Sequence, residues 1–492
     1  MKPFTRYLLF LVLIISVKSF GAETKSFAYY DSLTYDQYTR QEWKTLTVTG
    51  REALKDGYDY YYLRMRMGIA YYQLKNFLKS IPHFRKAIYF NSADPTAIKY
   101  LYFALVESGQ EEDAALLAFR NQTVITEEGN KRKILEFVYT EGGYTPDAIS
   151  GRSASELIGT DSISGEEDTY AGQTYFHVGA SLQLLPALSG YLGYSVLGIE
   201  KEKHFAGGII GNQLDSVGIR DYGKAYFYSF PYKIADTLIP YKADQHEFYI
   251  SANWIPHTNL TIIPAFHYIS GTTQSYTPAL QLIQRTDTAF YQSYDSTWHF
   301  FDNTVSRYVI SREAINYTHY VVSLAASVKW RNFIFGLNGT YAQLSSKGKQ
   351  LQAGISATWY PFGNLNLYAS TSFTGFANGR DKRLVYDQAI GVRIAPKLWI
   401  EGLLTIGELA LYNEKNAFTV YNLSDRIQLR TGANLIITLS PHLDLSFMYR
   451  FYAKEYDYLY YRKPPVEGPP LPIIGTTRYF TNNFLGGLKW KL

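Results

Sequence analysis

The chain has 492 residues and a formal net charge of +5, and it contains 46 Tyr and 29 Phe but no Cys. The lack of cysteine excludes disulfides, thiolate metal sites and cysteine nucleophiles, and the small net charge gives no indication of nucleic-acid binding. Aromatic residues make up 17% of the chain, which favours β-structure because aromatic side chains suit pleated surfaces.

Residues 1–21 have the pattern of a secretory signal peptide. Lys2 and Arg6 precede an apolar run over residues 7–17, and small residues follow up to Gly21. A basic start, an apolar centre and a small-residue cleavage site together predict export. A buried helix or a membrane anchor is the less favoured interpretation.

Residues 30–125 are predicted to be helical, and part of this stretch repeats. The pair Ala53-Leu54 recurs 34 residues later as Ala87-Ile88, which is the period of tetratricopeptide repeats. Small residues stand where two helices would approach each other, and aromatic residues stand where the space between them would be filled. The predicted packing positions are Gly68, Tyr71, Ser80, Phe84, Ala87 and Ala114.

In period and at these positions the segment resembles the tetratricopeptide repeat (TPR) family, although Arg64 stands where that family prefers Trp. The resemblance covers about two repeats and one preceding helix. It implies a short α-solenoid with a grooved surface, and we expect this surface to dock a periplasmic protein partner. A spacer or lid on the next domain is an equally weighted alternative.

From residue 130 to 492, apolar and polar residues alternate with a period of two, as in Leu351, Ile355 and Trp359 against Gln352 and Thr358. The alternation predicts about 14 strands, most of them longer than the roughly 9 to 11 residues that a tilted strand needs to cross a bilayer. The predicted strands are 131–144, 169–184, 188–199, 244–255, 259–269, 317–330, 333–345, 348–360, 364–375, 383–395, 398–410, 427–440, 443–454 and 477–491.

The connectors between these strands alternate between short turns and longer loops, which is how outer-membrane barrels are built. The longest predicted loops are 200–243 and 270–316. An even strand number places both ends of a barrel on the short-turn side, which is the periplasm. The predicted fold is therefore a periplasmic TPR-like α-solenoid followed by an antiparallel transmembrane β-barrel, in contact with the outer-membrane lipid of a Gram-negative bacterium. A large soluble β-sandwich or propeller is the less favoured alternative.

Four tryptophans fall on the apolar face close to a short turn or to the chain end: Trp254, Trp330, Trp359 and Trp490. An amphipathic indole at one level of several strands is what an aromatic girdle at headgroup depth requires. We therefore interpret these residues as the membrane girdle of the periplasmic side.

Charged residues on the polar face are predicted to point into the lumen. The candidates are Lys329, Asp387, Arg393, Glu401, Arg430, Asp444, Arg450 and Lys454. The mixture of signs argues against an anion-selective pore. Inward tyrosines such as Tyr175 and Tyr452 would stack on sugar rings or fill space, and space filling is favoured. Fourteen strands lie between the roughly 8 that side chains fill and the 16 to 18 that leave an aqueous channel, so a narrow or plugged path is expected.

The sequence contains no recognisable enzyme, metal or cofactor motif, and we expect no catalytic, metal or cofactor site. A barrel enzyme acting on lipid remains a distant alternative, for which His177, His267 and His319 on the predicted inner wall would be the candidates. Each is more simply interpreted as a hydrogen-bonded lumen residue.

In layout the chain resembles export porins for poly-N-acetylglucosamine and cellulose, in which periplasmic TPR repeats precede an outer-membrane barrel. Those porins carry many more repeats and sixteen strands, and none of their functional residues transfers by motif. The resemblance implies a transport or export component for polysaccharide or another secreted cargo. The alternative is a non-conducting outer-membrane scaffold that anchors a periplasmic or secretion assembly. The sequence does not indicate an oligomeric state.

Overall fold

A computed structural model gives the fold for most of the chain. The described residues are 25–125, 134–146, 156–157, 162–209, 233–285, 290–292, 298–300, 303–344, 348–379, 381–422, 425–462 and 471–492. The predicted signal peptide, residues 1–21, lies outside them. The chain divides into two units: Met1–Lys131 with Tyr360–Leu365, and Arg132–Trp359 with Asn366–Leu492.

The described part of the first unit contains six helices. They are α1 (Phe27–Thr39), α2 (Trp43–Lys55), α3 (Tyr61–Gln73), α4 (Phe77–Phe90), α5 (Pro95–Glu107) and α6 (Glu111–Arg120). Local chemistry sets their ends: at the start of α5 the Asp94 carboxylate accepts hydrogen bonds from the backbone N–H groups of Thr96 and Ala97, which caps the helix. Gly57 follows α2 with a φ of 91°, a left-handed conformation that commonly ends helices.

None of these described helices has both the length and the apolar character needed to cross a membrane.

The helices pack through the small and aromatic residues of α3 and α4. A Cβ at Gly68 would lie 2.6 Å from the Phe84 ring, so the glycine allows the two helices to approach closely. Phe84 and Ala87 are fully buried, and the Phe84 ring stacks on Tyr100 of α5 with centroids 5.3 Å apart. The buried Ser80 hydroxyl donates to the Phe77 carbonyl oxygen at 2.8 Å, which satisfies its polar group.

The two remaining predicted packing positions, Tyr71 and Ala114, are also buried in the helical unit, in two different clusters. Tyr71 stacks on His83 with ring centroids 5.4 Å apart, and Ala114 is buried in the same cluster as Phe84. The segment Tyr360–Leu365 belongs to the same unit. Its Gly363 carbonyl accepts a hydrogen bond from the Leu78 N–H at 3.0 Å.

The second unit is a closed antiparallel barrel of fourteen strands, so the predicted fold class is confirmed. In chain order the strands of the unit, including four short ones outside the wall, are β1 (Leu135–Thr145), β2 (Ser162–Leu185), β3 (Leu188–Ile209), β4 (Lys233–His257), β5 (Leu260–Arg285), β6 (Phe290–Gln292), β7 (Trp298–Phe300), β8 (Asn303–Trp330), β9 (Phe333–Leu344), β10 (Gly348–Trp359), β11 (Leu367–Asn378), β12 (Asp381–Ala395), β13 (Leu398–Ile406), β14 (Asn413–Glu414), β15 (Thr419–Val420), β16 (Arg426–Ser440), β17 (Leu443–Arg462) and β18 (Leu471–Lys491). Each wall strand pairs with its neighbours along the chain, and β1 closes the ring on β18, with Val138 opposite Trp490.

Several wall strands are longer than predicted, and the prediction of long loops at 200–243 and 270–316 was wrong. Pairing of β3 with β4 continues to Ile209 opposite Lys233, and pairing of β5 with β8 continues to Arg285 opposite Asn303. The extensions are rich in charged residues. Such residues are depleted in strands, and so these segments were predicted to be loops. In the sheet these charges pair across strands, as in Lys201 with Asp168 at 3.1 Å, and such pairs stabilise adjacent strands.

The prediction for β13 was also wrong, because the strand ends at Ile406 and not at residue 410. The residues after Ile406 include the apolar Leu409 and Ala410, but Glu408 falls on the apolar face and the chain turns at Gly407, whose φ is 126°. A Cβ at this position would lie 2.6 Å from the Leu384 carbonyl oxygen, so the turn requires glycine. The residues that follow leave the wall.

Candidate functional site: a hairpin across the barrel lumen

The segment between β13 and β16 forms a hairpin inside the barrel, which we call the lumen hairpin (residues 407–422). Its two short strands, β14 and β15, pair Asn413 with Val420 and Glu414 with Thr419. The Tyr421 N–H also donates to the Tyr412 carbonyl oxygen at 2.9 Å. The hairpin therefore satisfies part of its own backbone hydrogen bonding away from the wall.

The tip of the lumen hairpin has an uncommon backbone. Lys415, Asn416 and Ala417 have φ values of 51°, 57° and 65°. For a residue with a side chain this left-handed conformation costs about 1–2 kcal/mol, and it persists only where surrounding contacts hold it. The tip therefore depends on contacts with its surroundings.

The tip is bonded to the opposite wall. His267 of β5 donates through Nδ1 to the Ala417 carbonyl oxygen at 2.7 Å, and the Tyr249 hydroxyl of β4 donates to the Asn416 carbonyl oxygen at 3.3 Å. In the ring of fourteen strands, β5 lies six places from β13 and β4 lies seven. The hairpin thus reaches halfway round the ring and divides the lumen.

An aromatic cluster fixes the side chain next to the tip. The centroid of the Phe418 ring lies 5.1 Å from that of Tyr249, with an interplanar angle of 86°. It also lies 5.1 Å from the centroid of the His177 ring, with an interplanar angle of 80°. Tyr191 completes the cluster at 6.3 Å. Edge-to-face pairs of this kind contribute roughly 0.5–1.5 kcal/mol each beyond the area that they bury, so Phe418 is a major contact of the tip.

Arg430 of β16 holds the stem of the hairpin. Its guanidinium donates to Glu414 Oε2 and to the Tyr421 hydroxyl, both at 2.6 Å. On the wall it donates to Thr405 Oγ1 at 2.7 Å and lies 3.4 Å from Asp387 Oδ1. With two carboxylates and two hydroxyls around it, this buried cation is fully paired, as a buried charge requires.

One side of the hairpin packs directly on the wall. Leu411 and Ala417 join Val321 and Leu344 in a buried apolar cluster. These wall residues belong to β8 and β9, and the cluster extends to Phe376 of β11. That half of the lumen is therefore filled at the level of the hairpin.

The other side of the hairpin borders a cavity of about 360 Å³. Its walls come from β1 to β4 and from β16 to β18 as well as from the hairpin. Acidic, basic and tyrosine side chains all line it, among them Glu141, Tyr175, Arg450, Tyr452 and Lys454. The cavity lies at the lower end of the roughly 300–1,000 Å³ range of small-molecule sites.

The predicted lumen charges separate into three groups. Arg430, Arg450 and Lys454 line the cavity, and Asp387 lies behind Arg430. Glu401, Asp444, Lys329 and Arg393 stand elsewhere on the inner face of their strands. The Glu401 carboxylate accepts a hydrogen bond from Asn434 Nδ2 at 2.9 Å, and Asp444 forms an ion pair with Lys491 at 2.8 Å. The backbone N–H of Lys329 donates to the Asn259 carbonyl oxygen. The Arg393 guanidinium lies 4.7 Å from the centre of the Trp399 ring.

The three histidines considered for an enzyme are engaged in contacts of the wall and the hairpin. His177 is hydrogen-bonded to Ser195 Oγ at 2.9 Å and to the Tyr191 hydroxyl at 2.7 Å. His267 holds the hairpin tip, and His319 stacks on Tyr317 with ring centroids 5.0 Å apart. In the described part of the chain, no group of three or more His, Asp or Glu side chains is arranged to hold a metal ion.

The four predicted girdle tryptophans point away from the lumen near the edge that carries the short turns. Trp254, Trp330, Trp359 and Trp490 are 47–54% exposed. Trp330 ends β8 and Trp359 ends β10, each directly before a turn. Phe333 is the register partner of both tryptophans, which places the two indoles at one level.

Sequence reasoning missed the hairpin residues Glu414, Phe418 and Tyr421. The available signal was the spacing, because residues 411–426 form a connector with its own apolar and aromatic residues between two predicted strands. Nothing local to that stretch indicated that it folds inward, since its anchors, such as His267 and Tyr249, are about 150 residues away in the chain.

Comparisons with known proteins give fold likeness only. No protein-family model matches the chain, and no curated protein matches it. Among solved structures, the toluene transporter TodX of P. putida has 7% identity, with 73% of this chain and 90% of that chain covered and a TM-score of 0.40. Omp33, an outer membrane protein of Acinetobacter baumannii, has 7% identity, coverage of 73% and 99%, and a TM-score of 0.31. A bacterial polysaccharide outer membrane secretin has 8% identity, coverage of 73% and 99%, and a TM-score of 0.31. At these identities and TM-scores the likenesses carry no argument about the function of this chain.

Proposed function

We propose that the chain is an outer-membrane barrel of a Gram-negative bacterium, that its N-terminal helical unit is a periplasmic TPR-like interaction module, and that the protein is a transport or export component. The observation that carries the transport proposal is the lumen hairpin, which packs on one side of the barrel wall and borders a polar cavity on its other side. A hairpin that is held through side-chain contacts at its tip and stem, and whose strands form a sheet separate from that of the wall, is suited to regulating passage.

The outer face of the barrel supports the membrane location. Outward side chains such as Leu324, Leu337 and Ile355 are more than half exposed, whereas their sequence neighbours on the inner face are polar or small. Exposed apolar area this extensive is unfavourable in water and is stable in hydrocarbon. A closed barrel also satisfies every backbone group of its wall, which a lipid environment demands.

Exposed rings on the helical unit support the interaction module. Tyr62 and Tyr89 are 63% and 75% exposed, and each has a cation close to its ring, Arg66 at 5.9 Å and Lys86 at 4.2 Å. Tyrosine and arginine are enriched at the centres of protein interfaces. The partner that we propose is a periplasmic protein.

Planar-bilayer conductance of the purified protein tests the proposal with three versions of the chain. The wild type is compared with a variant in which residues 408–422 are replaced by a short Gly-Ser linker and with a variant that lacks residues 30–125. We expect a small current from the wild type and a several-fold larger current without the hairpin.

If all three versions fold correctly and none of them conducts a current, the transport proposal is contradicted. That result would favour the second candidate, a non-conducting scaffold that anchors a periplasmic assembly. The filled half of the lumen is the observation in favour of this alternative.

A further inference from the structure

The charges around the cavity are not equally paired. Arg430 is surrounded by Glu414, Asp387 and hydroxyls, as described above. Glu247 accepts from Gln245 Nε2 at 2.6 Å and lies 3.5 Å from His267 Nε2. These groups compensate each other within the protein, and so they leave little charge for a ligand.

Arg450 and Lys454 of β17 are different. Both line the cavity and both are only 6% exposed. Arg450 donates through one nitrogen to the backbone carbonyls of Tyr449 at 2.8 Å and Ala433 at 3.2 Å. Lys454 Nζ lies 4.6 Å from the centre of the Tyr170 ring and 5.6 Å from that of Tyr452. Neither cation has an ion pair with a carboxylate among the described residues.

Two buried cations without a directly paired carboxylate are unfavourable, and ring faces, carbonyl oxygens and more distant carboxylates compensate them only in part. A ligand anion in the cavity would complete the pairing. Glu141 of β1, two strands from β17 in the ring, accepts the hydroxyl hydrogen of Tyr139 and forms no ion pair with either cation among the described residues. Lys415 at the hairpin tip adds a further positive charge to the cavity lining.

Unpaired polar atoms stand beside the two cations. Asn483 and Thr481 of β18 lie directly across from Arg450 and Tyr452 in the strand register. Asn483 Oδ1 and Thr481 Oγ1 are buried and have no hydrogen-bond partner among the described residues. Buried polar atoms of this kind normally have a partner, so their position beside the cations indicates where a polar ligand would lie.

We propose that this cavity binds a small sugar acid, with its carboxylate between Arg450 and Lys454 and its hydroxyl groups on Asn483 and Thr481. Tyr175 and Tyr452 offer ring faces for the sugar ring. The volume of about 360 Å³ suits a monosaccharide and excludes a folded polymer. The proposal rests on the proposed function in one respect, since a ligand reaches the cavity only through a lumen open to water.

Calorimetric titration of the full chain in detergent tests this with two matched probes, glucuronate and glucose. Glucose has the same ring and lacks the carboxylate. We expect glucuronate to bind at least tenfold more tightly than glucose. Arg450→Met and Lys454→Met should each weaken glucuronate binding about tenfold or more, as expected for the loss of a charge-assisted hydrogen bond. Arg393→Met, at an exposed lumen-side cation outside the cavity, should leave it unchanged.

Equal binding of the two sugars, absence of glucuronate binding, or unchanged affinity in both cavity variants would overturn the proposal. If one of these variants fails to fold, the comparison of glucuronate with glucose binding to the wild type still tests the proposal. The outcome is separable from that of the proposed function: conduction without glucuronate binding contradicts only the ligand, and glucuronate binding without conduction contradicts only transport.

Discussion

Gly68 shows how one missing side chain determines helix packing. A Cβ at Gly68 would lie 2.6 Å from the ring of Phe84, and a Cβ at Gly50 would lie at the same distance from Met67 Sδ. The two positions differ in how far the neighbour can move. Phe84 is held by its stack on Tyr100, whereas a methionine side chain adapts easily.

We predict that Gly68→Ala destabilises the helical unit and that Gly50→Ala, its matched control, does so clearly less. Overpacking costs about 1–3 kcal/mol, which exceeds the roughly 1 kcal/mol that alanine gains over glycine in helix propensity. Urea unfolding followed by circular dichroism at the helical band measures both variants. Equal midpoints for the two variants would contradict the packing described for α3 and α4.

His83 gives the helical unit a pH dependence. Burial, with the nearby Arg64 guanidinium donating to Nδ1 at 3.2 Å, lowers the pKa of His83 to about 3. The unfolded state, with an ordinary His pKa of about 6.5, therefore binds more protons between these two values, and stability falls as the pH falls through that window.

We predict that the free energy of unfolding of the helical unit falls by about 1–2 kcal/mol between pH 7.5 and pH 5, a value reduced because the imidazole is only partly buried. The same urea titration at the two pH values measures it. The change should be absent in His83→Gln. A wild type whose midpoint does not move would show that the imidazole is not held in its neutral form.

At the scale of the element, the lumen hairpin depends on its tip. Phe418 contacts three rings of the opposite wall, and the strained backbone of residues 415–417 relies on those contacts. Replacing a buried Phe by Ala costs about 3–5 kcal/mol, which exceeds the contribution of the two hydrogen bonds to the tip carbonyls, at about 1 kcal/mol each.

We predict that Phe418→Ala frees the tip and produces larger and more frequent current steps in single-channel recordings. Phe248→Ala, a control at an outward-facing ring that is 53% exposed, should conduct as the wild type does. If the Phe418 variant also keeps the wild-type current, the hairpin does not limit passage.

The elements also show what the sequence can predict. All fourteen wall strands were predicted from alternation, because one face of most of these strands is apolar along most of its length. The end of β13 was missed, although Glu408 interrupts the apolar face, because a glycine also stands within this strand at Gly402 and the φ of Gly407 that turns the chain inward cannot be read from the sequence. Charged residues could be assigned to the inner face, but their pairing could not be predicted: Arg430 finds Glu414 in the hairpin, while Arg450 and Lys454 find no carboxylate.

For the whole molecule, the outward face should tolerate charge according to depth. Leu337 and Phe333 lie on the outward face of β9, and Phe333 is level with the girdle while Leu337 is four residues further from the turn. In a bilayer an arginine near the midplane costs about 2–4 kcal/mol, and one near the interface costs about 0–1 kcal/mol.

We predict that Leu337→Arg lowers the free energy of unfolding in lipid vesicles by about 2–4 kcal/mol. Phe333→Arg should lower it by only about 0–1 kcal/mol. Denaturant titration of tryptophan fluorescence measures both variants. A water-exposed sheet would show little cost at either position, and so two small and equal values would contradict the membrane location.

The most direct test of that location uses the absence of cysteine. Single cysteines along β10, where burial alternates residue by residue, are spin-labelled in vesicles, with a label at the exposed Thr45 of α2 as the water reference. We expect labels at Leu351, Ala353 and Ile355 to be relaxed by oxygen and shielded from a water-soluble nickel reagent, with the oxygen effect falling at Gln350 and Gln352. If the nickel reagent reaches the outward labels as readily as it reaches Thr45, the barrel does not stand in lipid.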